Sequence, residues 1–225
     1  QNANVKNTAI GGLAGDSITS GAANTFVGYL AGSAVTDHSN NTFIGNTAGE
    51  ASAGASNVAV GSNAFKASGA ADNNVCVGVN AGTAITDGPG NVLIGKSAGV
   101  AMTTGDYNVA IGYQAADQMA GNANYNIAIG TNALGGATGA CVGSIAIGTN
   151  ALNGQNDAAA VNLAMGYDAG GVISSGTANV LIGHEAGSAI GTTSNSTALG
   201  YNALKLTTAN QNTAVGSIAA AQVLS

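Results

Sequence analysis

Side chains able to carry out chemistry are scarce in this chain of 225 residues, which has two histidines, ten acidic residues, four lysines and no arginine. A serine hydrolase needs a serine, a histidine and an acid within hydrogen-bond reach of one another. No spacing around His38 or His184 supports such a set. We therefore expect both histidines to be polar surface residues, and the sequence predicts no catalytic residue and no enzyme.

Four of the aspartates fall at fixed distances from a recurring glycine. Asp37 and Asp87 stand eight residues before one, and Asp72 and Asp106 stand six residues before one. The glycine-aspartate nonapeptide that binds calcium in other repeat proteins is missing, so we interpret these aspartates as turn residues. No metal and no cofactor is predicted. An ion held on a symmetry axis between chains is the alternative that the sequence leaves open.

The two cysteines cannot form a disulfide framework. Cys76 falls in an apolar strand pattern, and Cys141 falls in a turn region almost four repeats away. An intrachain bridge between them would need a large distortion of the backbone. We therefore expect both cysteines to be present as thiols, with no disulfide between them.

Composition excludes several classes of partner. Charged residues make up 6% of the chain, and the formal net charge is −6. Without arginine, the chain lacks the basic footprint of a nucleic-acid partner. No run of 18 apolar residues is present, so membrane insertion is not predicted. The 36 glycines fall well short of the one residue in three that collagen requires.

An internal repeat organises the whole chain. The pattern Asn-x-x-(Ile/Val)-Gly-x-x-Ala, with a few replacements, recurs thirteen times at spacings of 16 to 18 residues. Its glycines, called corner glycines below, are Gly11, Gly28, Gly45, Gly61, Gly78, Gly95, Gly112, Gly130, Gly148, Gly166, Gly183, Gly200 and Gly216. A period near 17 is too short for helical-pair repeats and suits one coil of a β-solenoid. The sequence therefore predicts an all-β solenoid (β-roll) of about 13 coils, as a single repeat domain over residues 1–225.

The three residues before each corner glycine form a short strand pattern. The first and third are mostly β-branched, as in Val109 and Ile111, and share one face. The middle residue is always apolar and belongs to the opposite face. One face can fill the coil, and the other then needs a cover. We predict that the middle column, mostly alanine with Phe26 and Phe43 as larger anchors, packs against a partner chain. The alternative is a wide coil that folds back over its own strand.

An asparagine stands four residues before most corner glycines. In a solenoid, equivalent residues stack at about 4.8 Å, so their amides can hydrogen-bond along the column as in cross-β ladders. Ser144 and Ser196 replace the asparagine in two coils. The predicted structural ladder comprises Asn7, Asn24, Asn41, Asn57, Asn74, Asn91, Asn108, Asn126, Asn162, Asn179 and Asn212.

The variable residues between one repeat and the next are rich in Gly, Ser, Thr, Ala and Asp, which predicts a second short strand and a turn in each coil. Neither end of the repeat array carries an obvious polar cap. Uncapped sheet ends invite pairing. We therefore expect the chain to be a segment of a longer fibre protein, with adjacent fibre domains as neighbours. The alternative is that copies of the chain stack end to end.

A chemically mixed column follows directly after the corner glycines. Tyr29, Tyr113, Tyr167 and Tyr201 occupy it in four coils, and Lys96 occupies it in another. We expect this column to face water or a groove. Its tyrosines could stack on a cell-surface glycan or a protein receptor, and the alternative is that they shield backbone or pack between coils.

The repeat unit resembles two related groups of surface proteins. Asn-Thr-Ala-Ile-Gly at 7–11, Asn-Val-Ala-Ile-Gly at 108–112 and Asn-Ile-Ala-Ile-Gly at 126–130 resemble the repeat region of phage tail fibres and tail spikes. Ser-Ile-Ala-Ile-Gly at 144–148 is similar to the repeats of trimeric autotransporter adhesin heads. Adhesin repeats are usually shorter, so the period favours the fibre group.

The resemblance implies a parallel homotrimer in which each chain is a β-roll. It implies an extracellular place on a virion tail fibre, and a structural function as a fibre shaft or head that supports host attachment. The alternative is a trimeric adhesin head on the bacterial outer surface, which would bind a host surface or matrix directly.

Overall fold

The computed structural model describes residues 6–67, 69–156 and 161–223 and shows an all-β parallel solenoid. Its strands are β1 (Thr8–Ile10), β2 (Thr25–Val27), β3 (Thr42–Ile44), β4 (Val58–Val60), β5 (Val75–Val77), β6 (Val92–Ile94), β7 (Val109–Ile111), β8 (Ile127–Ile129), β9 (Ile145–Ile147), β10 (Leu163–Met165), β11 (Val180–Ile182), β12 (Thr197–Leu199), β13 (Leu206–Thr207), β14 (Thr213–Val215) and β15 (Gln222–Val223).

Thirteen of these strands form one parallel sheet, in which β1 to β12 follow one another in order and β14 completes the series. Each strand pairs with the equivalent residues of the next coil, as Val109 does with Ile127 and Ile111 with Ile129. The predicted solenoid with its repeat of about 17 residues is therefore confirmed. Coils are numbered 1 to 13 below by their corner glycines, so coil 13 contains β14.

The corner glycines are required for two physical reasons. Their φ angles lie between 125° and 144°, a region that side chains with a Cβ rarely adopt. A Cβ added to Gly28 would also lie 2.2 Å from the carbonyl oxygen of Gly45 in the next coil. Glycine therefore allows both the sharp bend after the strand and the close approach of successive coils.

The turn after each corner glycine is left-handed at its second and fourth residues in nearly every coil. In several coils the fourth residue is bulky, as at Phe65 and Leu134, with φ angles of 55° and 51°. Such a conformation costs roughly 1–2 kcal/mol for a residue with a Cβ. The Leu134 amide donates to the Ala151 carbonyl of the next coil at 3.0 Å, so this strained backbone stays hydrogen-bonded.

The solenoid interior holds about one large side chain per coil. Phe43 is large, and the facing turn residue is Gly49, where an added Cβ would lie 2.4 Å from the Phe43 ring. The order is reversed in coil 8, where the strand supplies Ala128 and the turn supplies Leu134, both buried. A large strand residue thus faces a small turn residue in coil 3, and a small strand residue faces a large turn residue in coil 8. We call this relation volume exchange, and it keeps the interior filled.

The middle strand column lies inside the coil. From Phe26 to Ala214 every one of its residues is buried, and Phe26 stacks on Phe43 with ring centroids 5.4 Å apart. The prediction that this column packs against a partner chain is wrong. The coil folds back over its own strand, and the alanine beneath each turn, such as Ala115, closes the interior from the other side.

The second strand predicted for each coil is also wrong for most of the described residues. A second short strand occurs at β13 and β15, which pair with each other, and an isolated bridge joins Asn124 to Val142. Elsewhere the variable segments are turns whose backbone groups bond the next coil individually, as Ala101 N–H does to Asp117 O.

Both cysteines are buried. Cys76 belongs to the middle strand column, where burial raises the pKa of its thiol far above the usual range. A group held in its neutral form in this way is unreactive.

Candidate functional site

The asparagine ladder runs from coil to coil and is buried from Asn24 to Asn179, while Asn7 and Asn212 at its ends are partly buried. The Asn108 Oδ1 accepts hydrogen bonds from the Asn126 backbone N–H and from Asn126 Nδ2, both at 3.0 Å. Its own Nδ2 donates to Asn91 Oδ1 at 3.0 Å and to the Ala123 carbonyl at 2.6 Å. From Asn57 to Asn126 each side-chain amide therefore bonds a neighbouring amide as well as backbone groups. The side chains of Asn24 and Asn41 bond backbone groups instead, so the amide-to-amide bonding expected from the sequence is present in part of the ladder.

Sequence reasoning missed the side chain that carries the ladder across Ser144. Gln155 is buried, and its Nε2 donates to Ser144 Oγ at 2.8 Å. Its Oε1 accepts from Asn162 Nδ2 at 3.0 Å. The signal was present in the sequence, because Gln155 stands seven residues after its corner glycine, where other coils carry Ile85 or Met102.

A second, half-buried set of polar side chains lies two residues after the corner glycines. Thr47 Oγ1 donates to Asn63 Oδ1 at 2.6 Å, and Asn63 Nδ2 donates to Asn80 Oδ1 at 3.1 Å. Asn63 and Asn80 have φ angles near 60°, which asparagine tolerates better than most residues. This partial ladder was not predicted.

Among the turn aspartates, Asp72 bonds the backbone of a neighbouring coil. Asp72 Oδ1 accepts from the Ala55 backbone N–H of the preceding coil at 2.7 Å. Ser39, at the equivalent place, accepts from Ala22 N–H at 3.0 Å. The interpretation of Asp72 as a turn residue is therefore supported by a specific bond.

The first and third residues of β1 to β12 and β14 project outward and form a surface that we call the strand face. Most of them are half-buried, and the more exposed ones include Ile94, Met165 and Val180 at 36%, 41% and 37%. None of these 26 residues is charged. In coils 4 to 11 all of them are aliphatic, whereas threonine occupies the first position in coils 1 to 3, 12 and 13.

A shallow apolar depression interrupts the strand face at coils 9 to 11. Its volume is about 280 Å³. Outward side chains of Ile145, Leu163 and Val180 line it, and Gly143 and Val161 lie at one edge. The depression lies within the aliphatic part of the strand face.

The four predicted surface tyrosines are all about half exposed. Tyr29, Tyr113, Tyr167 and Tyr201 are exposed by 54%, 47%, 51% and 51%. Tyr167 and Tyr201 stack on either side of His184, with centroid distances of 5.1 and 5.3 Å. Tyr167 and Tyr201 are therefore both exposed to solvent and packed against a neighbouring coil.

A second aromatic pair was missed. Tyr107 and Tyr125 stand five residues before their corner glycines and stack with centroids 5.6 Å apart. Both rings are more than half exposed. They border the strand face on the side opposite to the predicted tyrosine column.

Charged side chains gather on coils 10 to 12. Lys205 Nζ donates to Glu185 Oε2, and this hydrogen bond lowers the pKa of Glu185 and raises that of Lys205. Burial raises the pKa of Asp168, and the neighbouring Glu185 carboxylate adds to the rise. The cluster is an ion pair beside a carboxylate that is disfavoured in its ionised form.

The two histidines lie far apart in the solenoid. His38 contacts the Asp37 carboxylate at 3.1 Å in a turn, and His184 lies in the aromatic stack on coil 11. Over residues 6–67, 69–156 and 161–223, no group of three or more His, Cys, Asp or Glu side chains is arranged to hold a metal ion. Within these same ranges no helix has the length and apolarity to cross a membrane.

No protein-family model, curated protein or solved structure matches this chain.

Proposed function

We propose that the chain is a structural segment of an extracellular fibre, in which identical chains, three by the resemblance of the repeats, pack in parallel through their strand faces. The observation that carries the proposal is the strand face itself, with 26 outward positions free of charge and a wholly aliphatic middle. In this proposal the segment acts without catalysis, as the shaft or head of a virion tail fibre that supports host attachment. Adjacent fibre domains lie on either side of it.

The size of the aliphatic surface supports an interface. Eight strands spaced about 4.8 Å apart make a strip roughly 34 Å long. Contiguous apolar patches on monomeric proteins rarely exceed a few hundred Å², and larger ones mark interaction surfaces. Charged residues make up 6% of the chain, and none of them lies on the strand face. Packing this face against another chain therefore avoids the free-energy cost of burying a charge.

Two lysine substitutions on the same coil test whether the chains assemble through the strand face. Met165 lies on the strand face, and Val172 lies in the turn outside it, and both are aliphatic and exposed. We expect Met165→Lys to reduce the mass measured by light scattering towards that of a single chain, because a lysine would be buried against the neighbour. Val172→Lys should leave the mass of the assembly unchanged.

A wild-type chain that is monomeric at all concentrations would overturn the proposal, since the aliphatic strip would then be bare. Equal behaviour of the two lysine variants in a stable assembly would also overturn it. Circular dichroism shows whether each variant retains the solenoid.

The half-exposed tyrosines favour a second candidate function, a bacterial adhesin head that binds a host surface directly. Aromatic rings with accessible faces can stack on sugars or on a protein receptor. The test is binding of the isolated chain to glycans and to host cells. Binding that disappears in the variant Tyr29→Ala/Tyr113→Ala would support this function, and its absence would leave the fibre role.

A further inference from the structure

We propose that Tyr107 and Tyr125 form a site of oxidative crosslinking, at which one-electron oxidation driven by a peroxide joins the two phenol rings through a carbon–carbon bond. The crosslink lies within one chain and joins coil 7 to coil 8. It is independent of the proposed function, because it requires neither an assembly of chains nor a partner on the strand face.

The two rings extend from equivalent backbone positions of adjacent coils. Tyr107 N–H donates to the Pro89 carbonyl of the preceding coil at 3.0 Å, and Tyr125 N–H donates to the Asp106 carbonyl, also at 3.0 Å. The same bond in both coils fixes the two Cα atoms in register. The rings therefore stack, with centroids 5.6 Å apart and planes 10° from parallel, as aromatic pairs prefer.

Glycines occupy the same column on either side of the pair, at Gly90 and Gly143. A Cβ added to Gly90 would lie 2.5 Å from the Tyr107 ring, so this ring packs on bare backbone. A Cβ added to Gly143 would lie 3.9 Å from Val161, at an ordinary contact distance. Coil 9 therefore places no side chain against Tyr125 in this column, and the ring can turn about its Cβ–Cγ bond. Both rings are more than half exposed, so an oxidant can reach them.

Coupling requires that each phenol lose one electron and its hydroxyl proton. The resulting phenoxyl radicals carry unpaired electron density on the carbons next to the C–O carbon, which are the Cε atoms. One Cε of Tyr107 and one Cε of Tyr125 form the new bond, and the hydrogens on these carbons then move to the oxygens and restore both phenols. The chain loses two hydrogen atoms. One molecule of hydrogen peroxide takes up the two electrons and two protons and becomes two molecules of water.

The fold selects this pair from the six tyrosines of the chain. His184 separates Tyr167 from Tyr201, with its ring centroid 5.1 and 5.3 Å from theirs. Tyr29 and Tyr113 have non-aromatic neighbours in their column, which are Gly12, Asn46, Lys96 and Thr131. Because two reactants held together react far faster than two that must meet by diffusion, the stacked pair should couple ahead of any other tyrosines.

The bond would close residues 107–125 into a covalent loop. Coils 7 and 8 are otherwise joined by hydrogen bonds and packing, such as the strand pairing of Val109 with Ile127. The crosslink would limit their separation as a disulfide does.

Treatment of the full chain with hydrogen peroxide and a haem peroxidase tests the assignment. We expect a product that migrates as a single chain in a denaturing gel and shows the blue fluorescence of coupled tyrosine rings. Digestion before aspartate should release residues 106–116 joined to residues 117–156, with the mass of the two peptides less two hydrogen atoms. Dilution of the protein should leave the yield unchanged, because both rings belong to one chain.

The matched control removes a different tyrosine from the same coil. Tyr107→Phe keeps a stacked ring but lacks one phenol, so it should lose the crosslinked product. Tyr113→Phe removes a phenol that is also about half exposed, and it should retain the product. Each variant keeps five of the six tyrosines.

A substitution in the other aromatic stack tests the same rule by gain of a crosslink. In His184→Tyr a phenol replaces the imidazole between Tyr167 and Tyr201, at ring distances of 5.1 and 5.3 Å in the wild type. We expect a second intrachain crosslink in this variant, between position 184 and one of its two neighbours.

Three results would overturn the inference. Equal yields from Tyr107→Phe and the wild type would show that other residues couple. Covalent dimers whose yield rises with protein concentration, in place of the intrachain product, would show that tyrosines couple between chains. Absence of a coupled product from the wild type, in a solution where free tyrosine couples, would show that the stacked rings do not rearrange. None of these results bears on the fibre proposal, which the lysine variants test.

Discussion

Coils 5 to 8 and coils 9 to 10 solve the same hydrogen-bonding problem in different ways. In the first region Asn74, Asn91, Asn108 and Asn126 form an uninterrupted buried ladder. In the second, Ser144 Oγ accepts from the Asn162 backbone N–H at 3.4 Å, and Gln155 enters from the turn to bond both Ser144 and the Asn162 side chain. The buried polar groups of this column are therefore hydrogen-bonded in both regions, by asparagine alone in the first and by serine together with glutamine in the second.

The largest expected effect is in the regular region. Asn108→Ala would leave the Asn126 backbone N–H and the Ala123 carbonyl without their buried partners. Because unmade buried hydrogen bonds cost about 1–3 kcal/mol each, we expect a loss of roughly 2–3 kcal/mol in the free energy of unfolding. Denaturant titration measures this loss. The exposed Asn46→Ala is the control and should change stability by less than about 0.5 kcal/mol.

A smaller loss, about 1 kcal/mol, is expected for Gln155→Ala, because Asn162 Nδ2 keeps its bond to the Gly176 carbonyl. The same titration measures it. The double variant Ser144→Asn/Gln155→Ala should recover part of the loss by restoring the asparagine of the other coils. If Gln155→Ala proves as costly as Asn108→Ala, the two regions do not differ as described.

The smallest effect concerns coil 10, which also departs from its neighbours in the column two residues after the corner glycine. Asp168 stands there, whereas coils 8 and 9 carry Asn132 and Asn150. Burial raises the pKa of Asp168, so the stability associated with its neutral form is lost as pH rises through that pKa.

Asp168→Asn should therefore raise the melting temperature slightly at pH 7, by an amount equivalent to less than about 0.5 kcal/mol. The difference from wild type should vanish below about pH 4, where the wild-type carboxyl is protonated. Thermal melts at the two pH values measure it. A variant that is less stable than wild type at pH 7 would contradict the assignment.

Most of the fold could be predicted from the sequence because each column has one dominant physical requirement. The corner glycines need a φ angle near 135° and no Cβ, and this restriction places a glycine in every coil. Strand register follows directly, since a slip of one residue would turn Val109 and Ile111 into the interior.

The direction of the strand could not be predicted in the same way. Both of its faces are apolar, so the usual alternation of polar and apolar residues gave no orientation. The deciding feature is the volume exchange across the interior, such as Phe43 with Gly49 and Ala128 with Leu134. That relation links residues on a strand to residues in a turn, and it becomes visible once the coil is closed.

The candidate surface was predicted in part. The tyrosine column was recognised as exposed, but Tyr107 and Tyr125 were missed because their column contains residues as different as Gly90 and Val161. A column with little chemical regularity gives no signal on its own.

The serine steps of the asparagine column have a mechanical consequence. Hydrogen bonds between coils run along the solenoid axis, so tension on a fibre loads the successive coil boundaries in series. In such a series the weakest boundary yields first, and nearest-neighbour contacts govern the unfolding of repeat arrays. At Ser196 a hydroxyl takes the place of the amide and accepts from the Asn212 N–H at 3.1 Å. Under load we expect the chain to begin unravelling near this end, while the amide-laddered middle coils remain intact.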